Sequence, residues 1–168
     1  LNLAKDQRHI TDDFAWSKTL RPIKDADKSR DIYLNSSDLK AIIAAAPHDL
    51  AQFIKFSTLI PLRPGAIAQL TVGDFNKEQR ILFIPFDKAN AKRKIPIGNQ
   101  LFNFLEEATK NKLPKALIFT RSNGAPWEKH SWKQFKEIAK IASIKSEPKL
   151  YSIRHSIITD LIKLGTDY

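Results

Sequence analysis

Residues 80–97 read RILFIPFDKANAKRKIPI. Two short apolar or β-branched stretches, Arg80–Phe86 and Arg93–Ile97, flank a polar turn over Asp87–Lys92, which is the pattern of a β-hairpin. Outward from it the periodicity is mostly helical. A helix over about 99–110 sets Leu101, Phe102, Leu105 and Ala108 on one side. Upstream, Asn35, Ser36, Ser37 and Asp38 offer N-caps for a helix over about 37–46 that ends near Pro47. Asp49 is the expected cap of a second, over roughly 49–60, with Leu50, Phe53, Ile54 and Ser57 at helical spacing. A short helix follows Arg63, where Pro64 is tolerated in the first turn. Downstream, Leu117–Phe119 reads as a short buried strand and Ser122–Gly124 as a turn. Residues 130–142 and 151–164 read as the last two helices, with Gly165 as a C-cap. The fold class is α+β, a mainly α-helical domain with one small antiparallel sheet.

The chain has 168 residues, 42% of them apolar, enough for a real core and too many for a disordered basic tail. Its 28 Lys and Arg against 18 Asp and Glu give a net charge of +10, so a polyanion is the expected partner, nucleic acid first. No apolar run approaches the roughly 18 residues of a membrane span, and no signal peptide opens the chain. Cys is absent, and His9, His48, His130 and His155 are scattered, so no metal site is expected. The chain opens on Leu1 and holds no Met, and the expectation is a piece of a longer protein.

Three islands could carry chemistry: Thr58–Phe75 around Arg63, the hairpin with Lys88 and Lys92-Arg93-Lys94, and Leu150–Ser156 with Arg154 and His155. Each presents cations suited to phosphate: Arg as a planar fork to two oxygens, Lys as a mobile charge or a proton. Singly, each has an ordinary reading. Arg63 could pair with a carboxylate, Lys88 is a common turn residue, and Lys92–Lys94 could protect an edge strand. Arg154 and His155 could be a helix face beside a core histidine. Tyr151 and Arg154, three apart, share a helix face, while Ile153, Ile157, Leu161 and Leu164 take the core side.

In this order the islands resemble the catalytic domain of the tyrosine recombinases, specifically the phage-type integrases. The resemblance runs from about residue 33 to the end of the chain. Arg63, with Pro64, Gly65, Leu70 and Asp74, is similar to the family's "TGLRPGELAxLxWxD" segment. Lys88, ahead of Ile95-Pro96-Ile97, matches the hairpin lysine before a "VPL"-like strand. Tyr151–His155 resembles "HxLRH", and Leu117–Trp127 resembles "LLFxRxDGxPW". Residues 1–20 resemble the tail of a core-binding domain, 21–32 read as a linker, and 33–168 as the catalytic domain, incomplete at its C-terminus.

The resemblance implies DNA strand cleavage and rejoining through a 3′-phosphotyrosyl intermediate, without metal or small-molecule cofactor. Arg63 and Arg154 would hold the non-bridging oxygens. Lys88 would protonate the leaving oxygen, and Tyr151 would stand in for the family's histidine. Lys92, Arg93, Lys94, Arg121 and His155 are the expected DNA contacts. The implied partner is double-stranded DNA, with a homotetramer on paired sites. The implied setting is the cytoplasm of a bacterium, at the nucleoid, in a phage or prophage context.

Three features depart from the family pattern. Ala66 stands where an acidic residue is usual, and Tyr151 replaces a histidine. The nucleophilic tyrosine is expected beyond Tyr168, so the piece itself is expected to bind DNA without completing catalysis. Ala66 and Tyr151 also suit a non-catalytic DNA-binding module derived from a recombinase. A type IB topoisomerase is a further, weaker reading. Arg63, Lys88 and Arg154 are expected to converge on one basic surface.

Overall fold

Asn35 starts the first helix: its Oδ1 accepts the Asp38 N–H at 2.9 Å, and Asp38 Oδ2 accepts the Asn35 N–H at 3.1 Å. This reciprocal cap satisfies two orphan donors and fixes α1 over Ser36–Ala45. The computed structural model describes residues 32–85, 93–128 and 132–165. By its contacts the chain divides into Leu1–Arg30 and Asp31–Tyr168, and every described residue belongs to the second unit. The expected core-binding tail over 1–20 therefore lies outside the described residues, as does all of the expected linker over 21–32 except Ile32.

Helix α2, His48–Leu59, runs through the middle of the core and packs on α1 and on the helices at Asn99–Thr109 and Leu150–Lys163. Leu50, Phe53, Ile54 and Phe56 are buried, and the buried Ser57 hydroxyl is satisfied by donating to the Phe53 carbonyl at 2.9 Å. The cap differs from the expected one. Pro47 occupies that position, because its extended backbone breaks the chain out of α1 and leads directly into α2. Asp49 lies inside the first turn, where its Oδ2 accepts the Ser122 N–H at 2.7 Å and so ties the helix to a distant turn.

Pro64 opens α3, Pro64–Ala68, whose N-cap is Arg63. A 3₁₀ turn over Val72–Asp74 follows. Asp74 Oδ2 accepts both the Thr71 N–H and the Thr71 hydroxyl, each at 2.8 Å. The sheet is antiparallel in the order β1 (Phe75–Asn76), β2 (Ile81–Ile84), β3 (Arg93–Pro96). Leu82 faces Ile95 across the hairpin, and Phe75 pairs with Leu82 on the other side. The hairpin was legible, whereas the two-residue β1 is too short to show a period.

Arg80 joins the hairpin to α4, Asn99–Thr109. It donates to Asn99 Oδ1 at 2.7 Å and stacks over the Phe102 ring at 4.5 Å. The stretch 117–119 is not a strand as expected. Leu117 makes a single bridge with Thr71, and the Ile118 N–H donates to the Leu70 carbonyl at 2.8 Å. Its apolar run reflects burial of Ile118 and Phe119, since burial alone does not distinguish a strand from a packed loop. Gly124, at φ +77°, makes the expected turn.

Helices α5, Lys133–Ile141, and α6, Leu150–Lys163, complete the described fold. Gly165, at φ +75°, follows the last turn, and its N–H returns to the Ile162 carbonyl. Phe53, Phe56, Phe119, Trp127 and Trp132 form an aromatic cluster beside α2, in which the two indoles stack at 5.6 Å. No described helix is long and apolar enough to cross a membrane.

Candidate functional site

The geometry begins where α2 ends. The chain leaves Leu59 through Ile60, Pro61 and the buried Leu62 to reach Arg63, which is half-buried at the start of α3. The Arg63 carbonyl accepts the N–H groups of Ala66 and Ile67 at 2.9 and 3.1 Å, which fixes the backbone from which its side chain projects. Ala66 sits within that turn, half-buried, and offers no side-chain acceptor.

Helix α6 presents the other half. Leu150, Ser152, Ile153 and Ser156 face inward and are buried. Arg154 is half-buried, and its Nη1 donates to the Pro61 carbonyl. That bond crosses 93 residues of sequence and brings Arg154 onto the loop that carries Arg63 two positions later. Tyr151 and His155, one turn apart on α6, are exposed, and their rings meet edge to face at 4.7 Å. His155 is thus not a core residue. A guanidinium, a phenol and an imidazole lie together on one helix face, beside a second arginine's loop.

The hairpin is rooted close by. A cleft of about 430 Å³ separates Leu59 and Ile60 from Pro96, Gly98 and Asn99 at the β3–α4 junction. On β3, Arg93 is exposed opposite Ile84, and the Lys94 ammonium lies 5.8 Å from the Phe83 ring centroid. Lys88 and Lys92 fall outside the described residues.

Arg121 is held elsewhere. It lines a cleft of about 620 Å³ between the start of α2 and the end of α4, shared with Lys55, Lys110 and Lys112; neither Arg63 nor Arg154 lines it. Lys112 donates to the Ile118 carbonyl at 2.6 Å, and burial lowers its pKa. Sequence reading had no signal for the Pro61 carbonyl, because any residue could have supplied it. It also missed Ser152 and Ser156, which in a helix read as ordinary polar positions. Among the described residues no group of three His, Asp or Glu side chains could hold a metal ion.

Residues 33–168 match the family model described as the phage integrase family. The tyrosine recombinase XerD of Pseudomonas aeruginosa is 25% identical over 148 residues, covering 80% of this chain and 49% of that protein. XerD of Staphylococcus saprophyticus is 25% identical over 114 residues, covering 63% of this chain and 38% of that protein. The chain thus spans about half the length, or less, of these curated relatives. Among solved structures, a lambda integrase dimer bound to a COC′ core site superposes with a TM-score of 0.72 at 17% identity, covering 99% of this chain and 63% of that one. The Tn1549 transposon integrase in complex with a circular intermediate DNA gives 0.69 at 17% identity, over 85% and 57% of the two chains. These likenesses establish the fold: a helical domain with a small three-stranded antiparallel sheet, as in the lambda integrase.

Proposed function

Because this chain belongs to the phage integrase family, we propose that it supplies the catalytic domain of a tyrosine-type site-specific recombinase that cleaves and rejoins DNA. The observation that carries this reading is the bond from Arg154 to the Pro61 carbonyl. It supports a pair of arginines on one phosphate, drawn from motifs far apart in sequence.

In the proposed reaction a tyrosine hydroxyl attacks the scissile phosphorus. The P–O bond to the 5′ oxygen breaks, leaving a 3′-phosphotyrosyl bond and a 5′-hydroxyl. Arg63 and Arg154 offset the negative charge that grows on the non-bridging oxygens. Lys88 gives its proton to the departing 5′ oxygen, the proton of the attacking hydroxyl passes through solvent to restore Lys88, and the Tyr151 hydroxyl orients a phosphate oxygen. The covalent bond conserves the energy needed for rejoining, so neither metal nor nucleotide enters the balance. Lys92, Arg93, Lys94, Arg121 and His155 contact the backbone.

The partner in this reading is duplex DNA, as for the Tn1549 and lambda integrases solved on DNA. The assembly is a homotetramer on paired sites, working on the bacterial nucleoid in the cytoplasm. Residues 1–20 are read as the end of a core-binding domain and 21–32 as its linker.

The test uses the complete natural chain and a duplex nicked near the cleavage position, from which the released piece diffuses away. A covalent adduct should accumulate, and Arg154→Ala should slow its formation by about 10²–10³-fold, the scale of losing one oxyanion donor. Tight binding with no adduct at any time would sink the proposal.

A further inference from the structure

Tyr33 and Leu34 make a double attachment to the helix that carries Arg154. Leu34 is fully buried, and its backbone N–H donates to Ser156 Oγ at 2.8 Å. The same hydroxyl donates to the Ser152 carbonyl at 2.9 Å, so Ser156, only 1% exposed, is satisfied as both acceptor and donor. One turn further along α6, Asp160 Oδ1 accepts the Tyr33 hydroxyl at 2.6 Å. The Lys163 ammonium then covers the Tyr33 ring at 4.6 Å from its centroid. Residues 33 and 34 are thereby fastened to successive turns of α6.

From this geometry we infer that Ser156, together with the Tyr33–Asp160 contact, positions Arg154 for the phosphate. The inference rests on the proposed role of Arg154. Without these bonds α6 would sit on α2 mainly through apolar groups such as Leu150 and Ile153, both buried. Apolar burial is non-directional: it sets the distance between helices and tolerates rotation about the axis or a slide along it. Hydrogen bonds are directional and register-specific. Arg154 lies between Ser152 and Ser156, on the turn that the Ser156 hydroxyl spans. A rotation of that turn would swing the guanidinium away from the Pro61 carbonyl and from the loop of Arg63. Ser156, Asp160 and Tyr33 act through Arg154 and not by touching the phosphate.

The experiment measures single-turnover cleavage by the complete natural chain on two nicked duplexes. One carries the native scissile phosphate. In the other a neutral methyl replaces one non-bridging oxygen, which removes the charge that Arg154 offsets. Ser156→Ala should slow cleavage of the native phosphate on the order of 10²-fold, the scale of a small misplacement in an active site. It should slow cleavage of the methylphosphonate far less and leave duplex affinity unchanged. Tyr33→Phe, at an exposed position that does not threaten folding, should show the same selectivity in weaker form. Equal losses on both substrates in both variants, or no loss in either, would overturn the inference. A control separates this failure from that of the underlying reading: if Arg154→Ala itself cleaves the native phosphate normally, the catalytic role of Arg154 is what falls.

Discussion

The rings of Tyr151 and His155 meet edge to face with their centroids 4.7 Å apart, on the exposed side of α6. The contact holds the phenol against the imidazole and restricts both side chains near Arg154. In the proposed reaction the Tyr151 hydroxyl is a hydrogen-bond donor to a phosphate oxygen.

Tyr151→His should leave cleavage equal to that of the native chain or raise it, and should change its pH profile. A histidine introduced at this position brings a group that ordinarily changes charge between about pH 5 and 8. The check is the cleavage rate of the complete chain across that range. A variant that loses activity at every pH would show that the phenol itself is needed.

The Tyr33 hydroxyl donates to Asp160, and the loss of that bond on ionisation, reinforced by burial and by the Asp160 charge, raises the Tyr33 pKa above its ordinary 10.0. The folded state thus favours the neutral phenol. Its contribution to stability is fully present below about pH 10 and is lost as pH rises through the folded value. Thermal melts of the native chain should weaken more steeply above about pH 10 than those of Tyr33→Phe, which has no proton to release there. Parallel curves would mean that the contact contributes nothing to folding.

What could be read in the sequence follows from how local each signal is. The helices were legible because caps and periodic apolar residues lie within a turn or two of each other, as with Asn35 and Asp38. The hairpin was legible because two short apolar or β-branched stretches, the later β2 and β3, flank a polar run of sequence. Strand β1 was not, because a two-residue strand has no period and is defined by its pairing with β2. The expected strand at 117–119 failed for a related reason: burial of Ile118 and Phe119 mimics a strand wherever a loop crosses the core. Asp49 looked like a cap, since only the fold brings Ser122 to its carboxylate. At the candidate site the residue types and their order were readable. The acceptor that brings Arg154 to the Arg63 loop is a backbone carbonyl, which no side-chain pattern encodes.

Phe53 is the hub of the aromatic cluster, fully buried, with Phe119, Trp127 and Trp132 centroids at 5.8, 5.6 and 5.2 Å. Phe53→Ala would lose the transfer energy of the ring and leave a cavity among large, stiff side chains that cannot collapse into it. The expected cost is about 3–5 kcal/mol, read from the denaturant midpoint. Phe53→Leu, which keeps most of the volume, should cost clearly less. Equal costs would imply that ring contacts, and not volume, dominate the cluster.

In the proposed function the net charge of +10 makes DNA affinity a question of counterion release. On β3 the exposed Arg93 and Lys94 side chains alternate across the strand. Each phosphate contact releases counterions, so the slope of log affinity against log salt should be about −0.9 per contact. Arg93→Ala and Lys94→Ala should each make that slope shallower by up to about 0.9. Lys94 should fall short of the full step, since its ammonium must leave the Phe83 ring at 5.8 Å to reach a phosphate. Replacing Phe83 by Leu removes that competing attraction and should steepen the slope slightly. All these losses should be the same on unrelated duplexes, because phosphate contacts carry no sequence information. The measurement is a binding titration over a salt series on two sequences. A loss confined to one sequence would mean that this strand reads base edges, and the hairpin would then contribute to site choice.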